Sequence, residues 1–421
     1  MSIQPSNTSS SDKVPELRFP EFEGEWETSK IEGISNVSSG GTPNRSNLKY
    51  WGGDIPWITT SLIDFNKIIE AEEYITEEGL NASSAKLFPK GTILMAMYGQ
   101  GKTRGKVGVL GIEAATNQAC AALKLNNNFI IDFVFNYLAK DYDKIRKIAN
   151  DGGQQNLSIG LIKSLKIAFP TLPEQQKIAS FLTAIDQRIQ LLQQKKANLE
   201  EYKKGVMQKL FTQEIRFKIE GPDGDLVEPP DWEEKRLGEV LFEHKKKNKG
   251  NLFDEVFSVS KEKGVINQIE HLGRSYSADS IEHYKLINPF DIVYTKSPTS
   301  DFPFGIIKQN LTERTGVLSP LYAVFQPKNK WVGFILHSYF LSWVNTYNYL
   351  VPLVHRGAKN TMNINNNDFL KGSKISLPTS EAEQQKIASF LSSIDKSISI
   401  VQKEIDGMTT FKKGLLQKMF V

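Results

Sequence analysis

The nine residues EQQKIASFL run from Glu174 to Leu182 and run again, unchanged, from Glu383 to Leu391. The offset of 209 residues holds without a gap to Phe211 in the first copy and Phe420 in the second. Ile185-Asp186 returns as Ile394-Asp395, Lys203-Lys204-Gly205 as Lys412-Lys413-Gly414, and Gln208-Lys209 as Gln417-Lys418. Nineteen of the 38 aligned positions are identical, far beyond coincidence, so the chain is an internal duplication.

The copies also carry one periodicity. Ile178, Leu182, Ile185, Ile189 and Leu192 in the first, and Ile387, Leu391, Ile394, Ile398, Val401 and Ile405 in the second, alternate steps of four and three. Spacing of this kind over five heptads predicts a coiled-coil seam rather than a strand. Lys196 and Lys203 interrupt the first stripe, and Lys412 the second. At about 1.5 Å per residue each helix is roughly 55 Å long, too long to bury its stripe on one small domain. The expected partner is the other copy, antiparallel and related by a pseudo-two-fold axis.

Upstream the echo is fainter. Trp26-Glu27 precedes Lys30-Ile31 as Trp232-Glu233 precedes Arg236-Leu237, and Gly153 to Asn156 resembles Gly357 to Asn360. Between lie stretches of unlike sequence. Strand-like runs (Gly91 to Met97, Lys106 to Leu110, Gly316 to Gln326) mix there with helical runs near Ile131 to Ala149 and Val332 to Val344. The expected fold is α+β: two globular domains joined by two long antiparallel coiled-coil helices. The segments are a disordered tail 1–13, a domain 14–172, a helix 173–212, a domain 213–379 and a helix 380–421.

Composition bounds the function. Of 421 residues 39% are hydrophobic and 24% charged, and the net charge is +4. That permits nucleic-acid binding without establishing it. No apolar run of about 18 residues suggests a membrane span, and the Ser- and Asn-rich start has no signal-peptide core, so a cytoplasmic protein is expected. Cys120 is the single cysteine, which leaves no disulfide framework and no thiolate metal cluster. All five histidines fall in the second half. A task shared by both halves therefore cannot depend on imidazole.

Ala96 to Thr103 satisfies a relaxed phosphate-loop pattern. A true phosphate loop opens a helix, and Arg104 to Val109 favours strand instead. Asn288-Pro289-Phe290 resembles an amino-methyltransferase motif without its second proline, and a turn before a strand at Ile292 explains it better. With no catalytic constellation and no bound cofactor expected, binding is the stronger reading.

The contact candidates are hydroxyls and amides for base edges, and cations for phosphate. In the first half they are Thr42 in a Gly-Gly-Thr-Pro turn and Thr59, Thr60 and Ser61 after the run Tyr50 to Trp57. The loop between two strands adds Gln100, Lys102, Thr103, Arg104 and Lys106. Asn117 and Gln118 follow, then Gln154, Gln155 and Asn156. Trp51 and Trp57 read equally as core aromatics shaping a turn. In the second half the candidates are the lysine run with Lys245 and Lys246, then Ser260, Lys261 and Lys263. Lys296, Ser297, Arg314, His355, Arg356, Lys359 and Asn360 complete the set. A coiled-coil adaptor without a DNA role is the alternative in a different class.

Taken together, the repeated EQQKIASFL helices, the Gly-Thr-Pro…Tyr-Trp-Gly-Gly-Asp-Ile-Pro-Trp run and the Ala-Thr-Asn-Gln segment at 115–118 resemble the specificity subunits of type I restriction-modification systems. Arg18-Phe19-Pro20-Glu21-Phe22 is similar too, and the resemblance extends from about Val14 to Val421. It implies two target-recognition domains, each reading one half of a split site on double-stranded DNA, with the helices as a ruler. It also implies two methyltransferase subunits and ATP-driven restriction/translocase subunits as partners, with S-adenosylmethionine and ATP/Mg on those partners. The second domain lacks the Tyr-Trp-Gly-Gly-Asp-Ile-Pro-Trp run, which implies a different half-site and an asymmetric target.

Overall fold

The computed structural model describes residues 13–99, 102–148, 156–277, 280–299, 301–356 and 362–421. The tail expected at 1–13 falls, but for Lys13, outside the described residues, as does most of the Gly-x-x-Asn loop in each half. Two helices dominate, Leu172–Phe211 of 40 residues and Glu381–Met419 of 39. Pro173 sits in the first turn of the former, where its missing N–H costs nothing. The chain divides into two compact units: residues up to Gln194 with Gln402–Val421, and Lys195–Val401. Each unit thus holds one globular part and half of each long helix.

In the first unit a five-stranded sheet runs in the order Ser35–Ser39, Cys120–Leu125, Ile93–Ala96, Val107–Leu110, Lys67–Ile68. A helix, Ile131–Lys140, packs its buried Phe133, Val134 and Leu138 into the core beneath. In the second unit a four-stranded sheet runs Leu241–Glu243, Ala323–Pro327, Ile292–Tyr294, Ile307–Gln309. It is followed by the helix Lys330–Tyr339. Strand by strand this is the same order. The register agrees as well: Ile93 faces Val109 and Leu123, and Ile292 faces Gln309 and Phe325. The duplication therefore reaches the globular parts, although their sequences no longer show it.

The ends of each globular part are joined in one way. Glu27–Lys30 pairs antiparallel with Lys166–Phe169, and Glu233–Lys235 with Ile375–Leu377. The opening strand is thereby zipped to the strand that feeds the long helix, with Trp26 and Trp232 buried beside it. The units differ beyond this shared frame. The first adds a four-stranded sheet, Glu73–Ile75, Trp51–Ile58, Ala114–Thr116, Leu87–Phe88, where the second has two-stranded pairs.

Two expectations are corrected. The run Gly316 to Gln326 is two strands, Gly316–Leu318 and Ala323–Pro327, because a turn from Ser319 through Pro320 closes on the Tyr322 amide. The run Val332 to Val344 is likewise two helices, Lys330–Tyr339 and Trp343–Leu350, the second capped by the Ser342 hydroxyl.

Candidate nucleic-acid interface and its helical frame

The repeated helix start is a docking device. In the first unit the Glu174 carboxylate, almost fully buried, takes the Arg18 Nε and Nη2 at 2.8 and 2.7 Å. In the second Glu383 takes Arg216 Nε and Nη2 at 3.0 and 2.8 Å, and also the Trp232 indole N–H at 3.2 Å. Bidentate pairs of this kind are among the strongest charge-assisted hydrogen bonds. Gln175 Nε2 donates to the Pro170 carbonyl while its Oε1 receives the Ile130 N–H, just ahead of the helix Ile131–Lys140. Gln384 repeats this on the Pro378 carbonyl and on Asn329, which caps Lys330–Tyr339. The identical EQ dipeptides thus tie each long helix to its own globular part.

The seam positions follow the same logic. Ile178, Leu182, Ile185, Leu192, Ile387, Leu391, Ile394, Val401 and Ile405 are buried, whereas Ile189 and Ile398 are half-buried. Within the first unit Lys412 Nζ reaches Asp186 at 2.6 Å, and within the second Lys203 Nζ reaches Asp395 at 2.6 Å. The lysines that interrupt the stripes thus pair across it with the repeated aspartates. Lys196 instead pairs along its own helix with Glu200. In the first unit the start of the first helix lies beside the end of the second, and Asp186 lies opposite the earlier Lys412. The two run antiparallel there, and the pairs Arg216–Glu383 and Lys203–Asp395 show the same for the second unit.

At one end of the first unit's sheets the contact candidates converge. Trp57 and Ile58 pair in parallel with Ala115 and Thr116. Thr59, Thr60 and Ser61 therefore leave the sheet where Asn117 and Gln118 do. The Thr42 hydroxyl bonds the Gln118 amide oxygen. The Met97 N–H bonds Ala119, and the Leu157 N–H bonds Met97, which brings exposed Asn156 and the loop that ends in Lys106 to the same place. Gly40 and Gly41 are obligatory here, since a Cβ at either would lie 2.0–2.2 Å from Thr116 or Ser84. Lys102 is exposed, Thr103 and Arg104 are half-buried, and Lys106 is held by Asp64 at 2.6 Å. Asn117 is committed to its turn, accepting the Ala119 N–H. Gln100, Gln154 and Gln155 lie outside the described residues. The segment after Thr103 enters the strand Val107–Leu110 rather than a helix, so the phosphate-loop pattern lacks its anion-binding helix.

Trp57 is core, its indole N–H donating to the Gly41 carbonyl at 3.0 Å. Trp51 is half-buried, edge-on to Trp57, and the Arg45 guanidinium lies 3.9 Å over its ring. Arg45 also pairs with Glu73. Sequence reading missed Arg45, which the 3-10 turn Leu48–Tyr50 separates from Trp51 along the chain.

The second unit offers a different chemistry at the equivalent end. By strand register Lys246 and Lys247 stand where the first unit has Gly40 and Gly41. Lys245, Lys246 and Lys247 are exposed, and Lys296, which follows the next strand, is half-buried. Lys285 joins them, its ammonium on the Tyr322 carbonyl at 2.6 Å. Burial and then mutual repulsion with Lys247 lower the Lys285 pKa, and burial and then Lys285 lower that of Lys296. Nothing in the sequence around Lys285 signals this. Ser297 is exposed nearby. Arg314 is engaged by Glu255 and Glu270, and His355 by Asp368, so these two are already satisfied. Lys261 and Lys263 lie apart from the group, around a cavity described below, and the Ser260 hydroxyl bonds Glu262 and the Lys263 N–H beside it. Lys359 and Asn360 are outside the described residues, and the Arg356 side chain is likewise not described.

A family model described as the type I restriction modification DNA specificity domain matches residues 23–201. The type I restriction enzyme MjaIX specificity subunit of Methanocaldococcus jannaschii is 30% identical over 230 residues, 52% of each chain. The EcoR124I/EcoR124II specificity subunit of Escherichia coli is 30% identical over 176 residues, 40% of this chain and 43% of that one. The first half of the chain is thus similar to type I specificity subunits. The chain spans about half the length of these two curated relatives in the matched stretches. The fold match is wider. The crystal structure of a type I restriction-modification S subunit from M. genitalium covers 97% of this chain and 99% of its own, with a TM-score of 0.59 at 15% identity. Among the described residues no group of side chains is placed to hold a metal, and no helix is long and apolar enough to cross a membrane.

Proposed function

We propose that this chain is the sequence-reading, non-catalytic subunit of a cytoplasmic type I restriction-modification complex. Each globular part reads one half of an asymmetric, bipartite site on double-stranded DNA. The long helices fix the spacer and dock two methyltransferase subunits, with restriction/translocase subunits completing the assembly. S-adenosylmethionine and ATP/Mg belong to those partners. The observation that carries this reading is a frame repeated down to its atom pairs while the ends it presents differ. Hydroxyls and amides gather at one end, lysines at the other. Direct readout needs such differences to give two unlike half-sites, and a fixed frame suits a fixed spacing.

The test is binding and methylation by the chain with its methyltransferase on duplexes whose spacer varies. Changing the spacer by 2 bp rotates one half-site by about 70° around the duplex axis, and methylation should fall at least about tenfold. Undiminished methylation at every spacer length would sink the ruler.

A further inference from the structure

A half-open cavity of about 860 Å³ in the second unit has a lopsided charge: six lysines line it against three carboxylates. Two of the lysines are neutralised, Lys203 by Asp395 and Lys261 by Asp301. Lys308 is not. It is the middle residue of the strand Ile307–Gln309, only 5% exposed, and it has no hydrogen bond or ion pair to any described residue. A buried ammonium without an ion-pair partner is costly, and Glu262, across the same cavity, offsets this only in part. Burial first, then repulsion from Lys203, pushes its pKa down to about 8.

Two further polar residues border the cavity. His337 accepts the Gln309 N–H through Nδ1 at 3.1 Å. The neutral ring therefore carries its proton on Nε2. Gln309 Oε1 is buried with no hydrogen bond. Opposite the charges, Trp331, Phe334 and Phe290 form an apolar wall. None of this is required by the fold. At the same register positions the first unit carries Gly108, Val109 and Leu138 in place of Lys308, Gln309 and His337.

We propose that the cavity of the second unit binds a small phosphate-bearing ligand, with Lys308 on the phosphate and the aromatic wall against the group attached to it. Lysines converging from separate elements act as point charges, which suits a multiply charged oxyanion better than the planar carboxylate that an arginine fork recognises. The volume lies in the range of small-molecule sites and exceeds what a bare phosphate fills. The inference does not depend on how DNA is read.

Calorimetric titration of the full chain with inorganic pyrophosphate and, separately, with ATP tests it. Saturable one-to-one binding is expected, tighter for ATP because the wall then contributes. Losing one charge-assisted contact in Lys308→Met should weaken both at least about tenfold. The variant should melt higher than the parent, which separates lost binding from lost fold, and Lys102→Ala should bind both ligands as the parent does. Absence of saturable binding, or equal affinity in Lys308→Met, overturns the proposal. Displacement of pyrophosphate by a short duplex of arbitrary sequence would give Lys308 to the DNA backbone and overturn it equally.

Discussion

The two helix starts and the two sheets have diverged to different depths. At Glu174 and Glu383 the units share carboxylate, arginine and glutamine clamp almost atom for atom. In the sheets they share strand order and register but little chemistry: Gly40 and Gly41 answer to Lys246 and Lys247, and Gly108 to Lys308. A buried ion pair tolerates no partial change, because removing one member strands the other. A sheet position asks only for a side chain that fills its space or faces water. Even the clamp has one asymmetry. Trp232 gives its indole N–H to Glu383, whereas the Trp26 indole N–H is buried without a partner.

That asymmetry can be broken deliberately. Glu383→Ala should cost about 2–3 kcal/mol, since it leaves half-buried Arg216 with only the Pro230 carbonyl and Asp231 and strips the Trp232 indole of its acceptor. Glu174→Ala should cost about 1 kcal/mol less, since no indole bond goes with it. Denaturant unfolding of the two variants decides, and equal losses would show that the Trp232 bond contributes nothing.

The next largest effect is an acid-sensitive contribution from His337 in the second unit. Burial, reinforced by Lys308 and Lys203, pushes the His337 pKa down from 6.5 to about 3. Below pH 6.5 the unfolded chain takes up a proton that the folded ring refuses. The contribution of this ring is therefore full above 6.5 and falls by up to roughly 1.4 kcal/mol per pH unit down to about 3. Between about 6 and 3.8 it is opposed by Asp291, whose carboxyl burial pushes up to about 6. His337→Leu, the residue type the first unit carries there, should flatten that slope in a pH series of thermal melts.

Smallest is the cross-helix pair. Asp186→Lys sets two cations at the seam and should cost about 1 kcal/mol at most, the aspartate being 45% exposed and partly screened. Adding Lys412→Asp restores the pair in reverse and should recover most of the loss in a double-mutant cycle. A double variant no better than the single one would mean that the lysine stem, rather than its charge, matters there.

How much was legible depended on the distance over which each feature is encoded. The helices were plain because Ile387 to Ile405 spell out their periodicity locally. Lys203 and Lys412 read only as gaps, since their partners Asp395 and Asp186 follow from the antiparallel register and not from either helix alone. The shared strand order was hidden because its pairings are long-range: Glu27–Lys30 with Lys166–Phe169, Leu241–Glu243 with Ala323–Pro327. The candidate hydroxyls and amides were individually visible, but Thr42 meets Gln118 only through the Trp51–Ile58 sheet. Lys308 gave no sign at all, since Ile306 to Asn310 reads like any strand with a solvated lysine.

The clamp formed by Gln175 and Gln384 has a consequence for what the frame accepts. Each glutamine grips only a proline carbonyl and the residue at the head of a helix, and each glutamate grips one arginine. Neither asks anything of the loops that carry the contact candidates. The helix start behaves as a socket, and any plug of this topology with an arginine and a helix head in those two places would seat in it. What the plug displays at its far end is free to change without refitting the joint.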